Sequence, residues 1–142
     1  MRVAFASDDV NETTLAVERA LIENGHEIVR PESASGWPAL GRFVGRAVVE
    51  GRADYGVVMC WTGTGTAIAA NKVPGVRAAL AWDPWIARGA RLWNDANVLA
   101  MSLKRLAPDV AVEVLLAFLS TPEPDPEEAA AIAELSGPTP EE

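Results

Sequence analysis

The chain has one cysteine, one histidine and one tyrosine in 142 residues, and each scarcity closes off a kind of chemistry. A lone thiol, Cys60, cannot form an internal disulfide, which fits a reducing cytoplasm and leaves the group free to react. The single histidine, His26, opens a strand after a turn, and Asp8-Asp9 has no His or Cys near it in sequence. No bound metal is expected from such a donor set. No run approaches the roughly 18–20 apolar residues that span a bilayer, and the N-terminus passes directly into a strand without the apolar region of a signal peptide. There is no G-K-[ST] and so no P-loop. Positive charge is also unevenly absent. After Leu119 there are seven acidic residues and no basic one, whereas residues 1–119 hold 13 acidic and 12 basic ones. The formal charge of −8 therefore belongs to the tail and not to the body. Nothing resembles a basic stripe for nucleic acid, and the acidic balance argues against anionic membranes.

What is present is an alternation of strand and helix patterns. Arg2 to Ala6 reads as a buried strand ending at Ser7-Asp8-Asp9. Asn11 can cap a helix to about Asn24, and His26 to Arg30 forms a second strand. Pro38 opens a helix to about Gly51, and Tyr55 to Met59 is a short apolar strand. Helical residues follow from Thr66 to Lys72. Val76 to Leu80 is strand four, Asp83-Pro84 starts a helix to about Leu92, and Asn97 to Ser102 is strand five. Pro108 to Leu119 is an apolar helix, and 122–142 reads as an acidic Pro-rich linker with a short helix at Glu127–Leu135 and a frayed end. Five alternations predict a parallel sheet with helices on both faces, within one domain over 1–121. Ligands of such sheets sit beyond the carboxyl ends of the strands. Ser7-Asp8-Asp9, Cys60 to Thr66 and Ala81-Trp82-Asp83 reach that edge. Trp93 to Asn97 precedes strand five, and reaches it only from a helix end or a second subunit.

The stretch that carries chemistry is Cys60-Trp-Thr-Gly63-Thr-Gly65-Thr66. A strand that turns through glycines into a helix points backbone N–H groups into one cleft, which favours an anion. A cysteine there sits beside the positive helix end, where its thiolate is favoured. Cysteine is also often a small buried hydrophobe, so packing alone is the competing account of Cys60. A dinucleotide fingerprint is not supported, because its third glycine would fall at Ile68 and the loop follows the third strand and not the first. Trp37, Trp61 and Trp93 suit stacking on a sugar ring if they share a cleft.

Ser7-Asp8, Cys60-Trp-Thr-Gly-Thr-Gly65, the block Ile68 to Leu80, Trp82-Asp83 and Asn94-Asp-Ala-Asn-Val-Leu-Ala100 together resemble ribose-5-phosphate isomerase B and the related galactose-6-phosphate isomerase subunits. The resemblance runs in order from residue 1 to about 121. It implies a Rossmann-like three-layer α/β/α sandwich with a five-stranded parallel sheet and no nucleotide. It also implies no cofactor, a homodimer or tetramer whose sites use residues of both subunits, and aldose–ketose isomerisation through a cis-enediolate. In that pattern Cys60 is the general base and Gly63, Thr64, Gly65 and Thr66 hold the enediolate. Asp8 and Asn94 bind sugar hydroxyls, and Thr62 lies beside the ring-opening step. Thr66 stands where one branch of the family carries a Glu base, which places this chain with the cysteine type. Asp9 and Trp93 stand where the family has histidines for phosphate contact and ring opening. Lys104 keeps a basic residue, while the family's C-terminal arginines have no counterpart. These departures predict an altered or lost preference for phosphate. Two alternatives are an ordinary ribose-5-phosphate isomerase using substitute residues, and a non-catalytic sugar-binding or oligomerising relative.

Overall fold

The computed structural model describes residues 1–33 and 35–136. In chain order the elements are β1 (Arg2–Ser7), α1 (Glu12–Glu23), β2 (Glu27–Val29), α2 (Trp37–Val49), β3 (Tyr55–Cys60) and α3 (Thr64–Asn71). They continue with β4 (Ala78–Leu80), α4 (Pro84–Asn94), β5 (Val98–Ser102), α5 (Pro108–Leu119), a 3-10 turn (Pro126–Glu128) and α6 (Ala129–Glu134). The frayed end expected past Leu135 lies, from residue 137 on, outside the described residues. No helix among the described residues is long and apolar enough to cross a membrane.

The five strands form one parallel sheet in the order β2-β1-β3-β5-β4. The chain leaves β1 towards β2 on one side and returns to β3 on the other, so the crevice between the carboxyl ends of β1 and β3 is the switch point where such sheets bind ligands. The central strands are apolar through their middles because both faces are covered. One set of alternate residues (Val3, Phe5, Val57, Met59, Leu99, Met101) packs with Val17 and Leu21 of α1, Ala87 and Ala90 of α4, and Val114, Leu115 and Phe118 of α5. The other set (Ala4, Ala6, Val58, Val98, Ala100) packs with Leu40, Val44 and Ala47 of α2 and Ala67 and Ala70 of α3. The second layer uses small residues, so α2 and α3 approach the sheet closely.

Local signals explain most boundaries. Asn11 caps α1 reciprocally, its side chain accepting from Thr14 N–H at 3.0 Å while Thr14 Oγ1 accepts from Asn11 N–H at 2.9 Å. Asp83 accepts from Ile86 N–H at 2.8 Å, with Pro84 in the first turn of α4. Strand four is shorter than its sequence pattern. Arg77 gives its backbone N–H to Asn97 Oδ1 at 2.8 Å, and the Asn71 amide pairs with both Ala78 N–H and Ala78 C=O at 2.8 and 3.0 Å. Asn71 thus occupies backbone groups that an open sheet edge would present to another strand.

The beginning of the acidic tail is tied to the body by Arg91, which is 2% exposed. Its guanidinium donates to the carbonyls of Thr121, Pro122 and Ala96 at 2.9, 2.6 and 2.6 Å and to Asp95 at 2.9 Å. It also lies 4.8 Å from the centroid of the Tyr55 ring. Asp125 N–H adds a bond to Leu92 C=O at 2.8 Å.

Candidate active site

Cys60 is the last residue of β3, and Gly63 begins the turn into α3 with a φ of +80°. A side chain is excluded there twice over. The left-handed conformation disfavours one, and a Cβ would lie 2.6 Å from Leu80 Cδ1 and 2.9 Å from the Met101 carbonyl carbon. This tight turn brings donors back onto the preceding strand. Gly63 N–H donates to Cys60 Sγ at 3.2 Å, and Thr66 Oγ1–H donates to the same sulfur at 3.3 Å. Burial pushes the thiol up, but the Thr66 hydroxyl and the backbone N–H groups of Thr66, Gly63 and Thr62 outweigh it, so the Cys60 pKa is lowered. Thr66 is fully buried and serves the sulfur from within the first turn of α3.

The sulfur lies against a cavity of about 420 Å3 lined by Asp8, Trp37, Cys60, Trp61, Thr62, Thr64 and Gly65. Asp8 comes from the end of β1 and Cys60 from the end of β3, so the cavity occupies the switch point. Thr62 and Thr64 share a hydroxyl–hydroxyl bond of 2.6 Å at its rim. Trp37, in the first turn of α2, lies flat enough on the loop that a Cβ on Gly65 would stand 2.9 Å from its ring.

The mouth is organised by Trp61. Its indole Nε1–H donates to Asp9 Oδ2 at 3.3 Å, and the Lys104 ammonium stands 4.8 Å from its ring centroid. Asp9 also accepts Val10 N–H at 2.8 Å. Those two donors, together with the charge of Lys104, hold its carboxyl below the usual carboxylate range. Asp9 and Lys104 therefore attach to the cavity through the indole and do not line it themselves.

Of the residues expected at the site, the fold brings Asp8, Cys60, Thr62, Gly63, Thr64, Gly65 and Thr66 together, with Asp9 and Lys104 at the mouth. Trp93 and Asn94 are elsewhere. Trp93 is turned back onto Gly89 of its own helix and stacks edge-on against Trp85 at 5.4 Å. Asn94 lines a separate cavity of about 700 Å3 with Arg77, Ala78 and Leu135. The expectation of three tryptophans around one cleft is thus corrected to two within the chain. The physical reason is that the C-terminal end of α4 leads into the start of β5, at the opposite end of the sheet from Cys60. The stretch Ala81-Trp82-Asp83 is used for the start of α4 and does not line the Cys60 cavity. One positioning residue has no signal in the sequence. Ser102 stands beside Cys60 in the β3–β5 register, donates to the Trp61 carbonyl at 2.5 Å and accepts Arg105 N–H at 3.0 Å. Among the described residues no three His, Cys, Asp or Glu side chains are grouped to hold a metal ion.

Fold and cavity define an α/β sandwich with a hydrogen-bonded thiol at the switch point of its sheet. The family model described as Ribose/Galactose Isomerase matches residues 3–135. Ribose-5-phosphate isomerase B of Escherichia coli is 32% identical over 123 residues, covering 83% of each chain. A galactose-6-phosphate isomerase subunit of Clostridium acetobutylicum is 42% identical over 82 residues, 57% of this chain and 45% of that protein. The crystal structure of a Thermotoga maritima ribose 5-phosphate isomerase superimposes with a TM-score of 0.87 at 31% identity, covering 95% of this chain and 97% of that one. The chain belongs to the ribose/galactose isomerase family, and its type is that of an aldose–ketose isomerase. The non-catalytic alternative is not favoured, because these relatives are named as isomerases.

Proposed function

We propose that Cys60 is the base of an aldose–ketose isomerisation carried out in the 420 Å3 cavity, on a sugar or sugar phosphate held with C1 and C2 against the sulfur. The thiolate takes the proton from C2 of the open-chain aldose. The electron pair moves into a C1–C2 double bond, and negative charge develops on the C1 oxygen. A proton passes from the C2 hydroxyl to that oxygen, and the Cys60 thiol returns its proton to C1 to complete the ketose. No cofactor or metal enters these steps.

The loop from Gly63 to Thr66 sets helix N-terminal amides, those of Gly63 and Thr66 on the Cys60 sulfur itself, beside the place where the oxyanion develops and fixed donors are worth most. Thr62 and Thr64 are within reach of the oxygen-to-oxygen transfer, Asp8 binds a hydroxyl, and Thr62 lies beside the ring-opening step. A second copy of the chain is the proposed source of Trp93 and Asn94, since neither reaches the cavity of its own chain. The exposed apolar residues Ile68 of α3 and Trp85 of α4 suit burial in such a homodimer. A cytoplasmic setting suits the free thiol that the reaction needs.

The observation that carries this reading is a buried sulfur taking two hydrogen bonds while lining a sugar-sized cavity. The test is exchange of the C2 proton in heavy water. Cys60→Ala should lose at least about a hundredfold in rate, the lower end for a general base. Unchanged exchange in that variant refutes the role of Cys60.

A further inference from the structure

We infer that Ser102 is a positioning residue for the reaction base: its hydroxyl fixes the Trp61–Thr62 peptide unit so that the Thr62 N–H is turned on the Cys60 sulfur. The inference rests on the isomerase reading of this cleft and adds to it a residue that does not line the cavity.

A planar trans peptide directs its C=O and its N–H to opposite sides. The Trp61 carbonyl points to the end of β5, where it accepts Ser102 Oγ–H at 2.5 Å and Lys104 N–H at 3.4 Å. The N–H of the same unit belongs to Thr62. It faces back towards β3, where it is one of the donors that favour the Cys60 thiolate. The sulfur thus takes N–H groups two and three residues on, the second being that of Gly63 at 3.2 Å. The preceding peptide is held from the same side, since the Cys60 carbonyl accepts Leu103 N–H at 3.0 Å.

Two of these three bonds to β5 and its turn come from backbone N–H groups, which almost any side chains would leave in place. The short one depends on Ser102. Its side chain is buried and used in full, donating to Trp61 and accepting Arg105 N–H at 3.0 Å. Ser102 pairs with Cys60 in the β3–β5 register, so its hydroxyl stands level with the residue it serves. Trp61 and Thr62 are exposed, and packing does little to hold the peptide between them. Without the hydroxyl, the Trp61 carbonyl keeps only the 3.4 Å bond from Lys104. Rotation of that peptide brings a carbonyl oxygen towards the sulfur in place of an N–H, which disfavours the thiolate. A serine that merely stapled the two loops would change stability and leave the thiol as it was.

The chain has one cysteine, so thiolate absorbance against pH reads Cys60 alone. Ser102→Ala should raise its midpoint by about half a pH unit, a roughly threefold smaller thiolate fraction at any pH below it. The kcat/KM for proton exchange is measured on the best substrate among four- to six-carbon aldoses and their terminal phosphate esters. It should fall by the same factor at low and neutral pH and recover at high pH, and Ser102→Thr should restore both readings. In the wild-type protein the Thr62 amide proton should move downfield as Cys60 ionises, as that of Gly63 does. In Ser102→Ala that movement should shrink at Thr62 and persist at Gly63. A folded Ser102→Ala with lower stability and an unmoved thiol midpoint overturns the inference while leaving the isomerase intact. A Thr62 amide that ignores the Cys60 titration overturns it from the wild-type protein alone, whether or not the variant folds. A midpoint that moves in a protein exchanging no sugar proton refutes the isomerase reading and supports the hold of Ser102 on the thiol.

Discussion

Removing the Thr66 hydroxyl tests the electrostatic core of the site with the least disturbance. Thr66→Val keeps the branched shape of a fully buried side chain and deletes one donor, the Oγ1–H, which has Cys60 Sγ and the Gly63 carbonyl both at 3.3 Å. Hydrogen bonds to charged groups contribute about 1.5–3 kcal/mol. Sulfur is a long, soft acceptor, so about 1 kcal/mol is the working figure here, with Gly63 N–H still in place at 3.2 Å. With RT near 0.6 kcal/mol, that is about a fivefold smaller thiolate fraction at any pH below the titration midpoint. The assay is thiolate absorbance against pH, read beside the pH dependence of kcat/KM. Wild-type Cys60 should titrate below an ordinary thiol. Both midpoints should move up together in Thr66→Val, and Thr66→Ser should restore them. The stability linkage has a definite sign. A thiol whose pKa is lowered on folding adds stability that is complete above the unfolded midpoint near 8.5 and is lost as pH falls through the folded one. Thr66→Val should therefore lose more stability at pH 9 than at pH 6. A thiol titration that does not move, or that moves down, refutes the claim that Thr66 favours the thiolate.

Gly63→Ala should destabilise the protein by about 2–4 kcal/mol in urea denaturation, combining left-handed backbone strain with overpacking against Leu80 and Met101. Arg91→Met should cost about 3–5 kcal/mol, because it leaves three carbonyl bonds, one buried and two part-buried, and the Asp95 contact unmade. Limited proteolysis should then cut sooner around residues 121–125, where the tail was pinned. If each active site combines Cys60 of one subunit with Asn94 of another, a refolded equal mixture of inactive Cys60→Ala and inactive Asn94→Ala chains should recover about a quarter of wild-type activity. A mixture that stays as inactive as its parents removes the shared-site proposal.

Much of the architecture is legible because its signals are local. Asn11, Asn24-Gly25 and Asp83-Pro84 mark helix ends through capping chemistry that acts within three residues. Short apolar runs at Arg2, Tyr55 and Asn97 mark the central strands. The late start of strand four is not legible, since Val76 and Arg77 carry a strand pattern but Asn97, from elsewhere in the chain, takes the Arg77 N–H. The site divides the same way. Cys60, Gly63 and Thr66 are adjacent in sequence, so the turn that joins them could be read directly. Trp93 was expected at the cleft from the family resemblance, with a helix end or a second subunit as its route, and within its own chain its ring packs on Trp85 and Gly89. Ser102 had no local mark, because its partners are the Trp61 carbonyl and the Arg105 amide.

The amino-acid sequence by itself determined the order of strands and helices, the glycine turn after Cys60 and the absence of positive charge at the C-terminal end. These depend on backbone preferences and composition, which act over a few residues. Only the tertiary structure decided that Asp8 and Cys60 share one crevice, that Trp61 is strung between Asp9 and Lys104, and that Trp93 and Asn94 lie at the other end of the sheet. Those relations are set by which strands become neighbours. Strand order is a property of the whole core, since a strand carries the same residues whichever partner it pairs with.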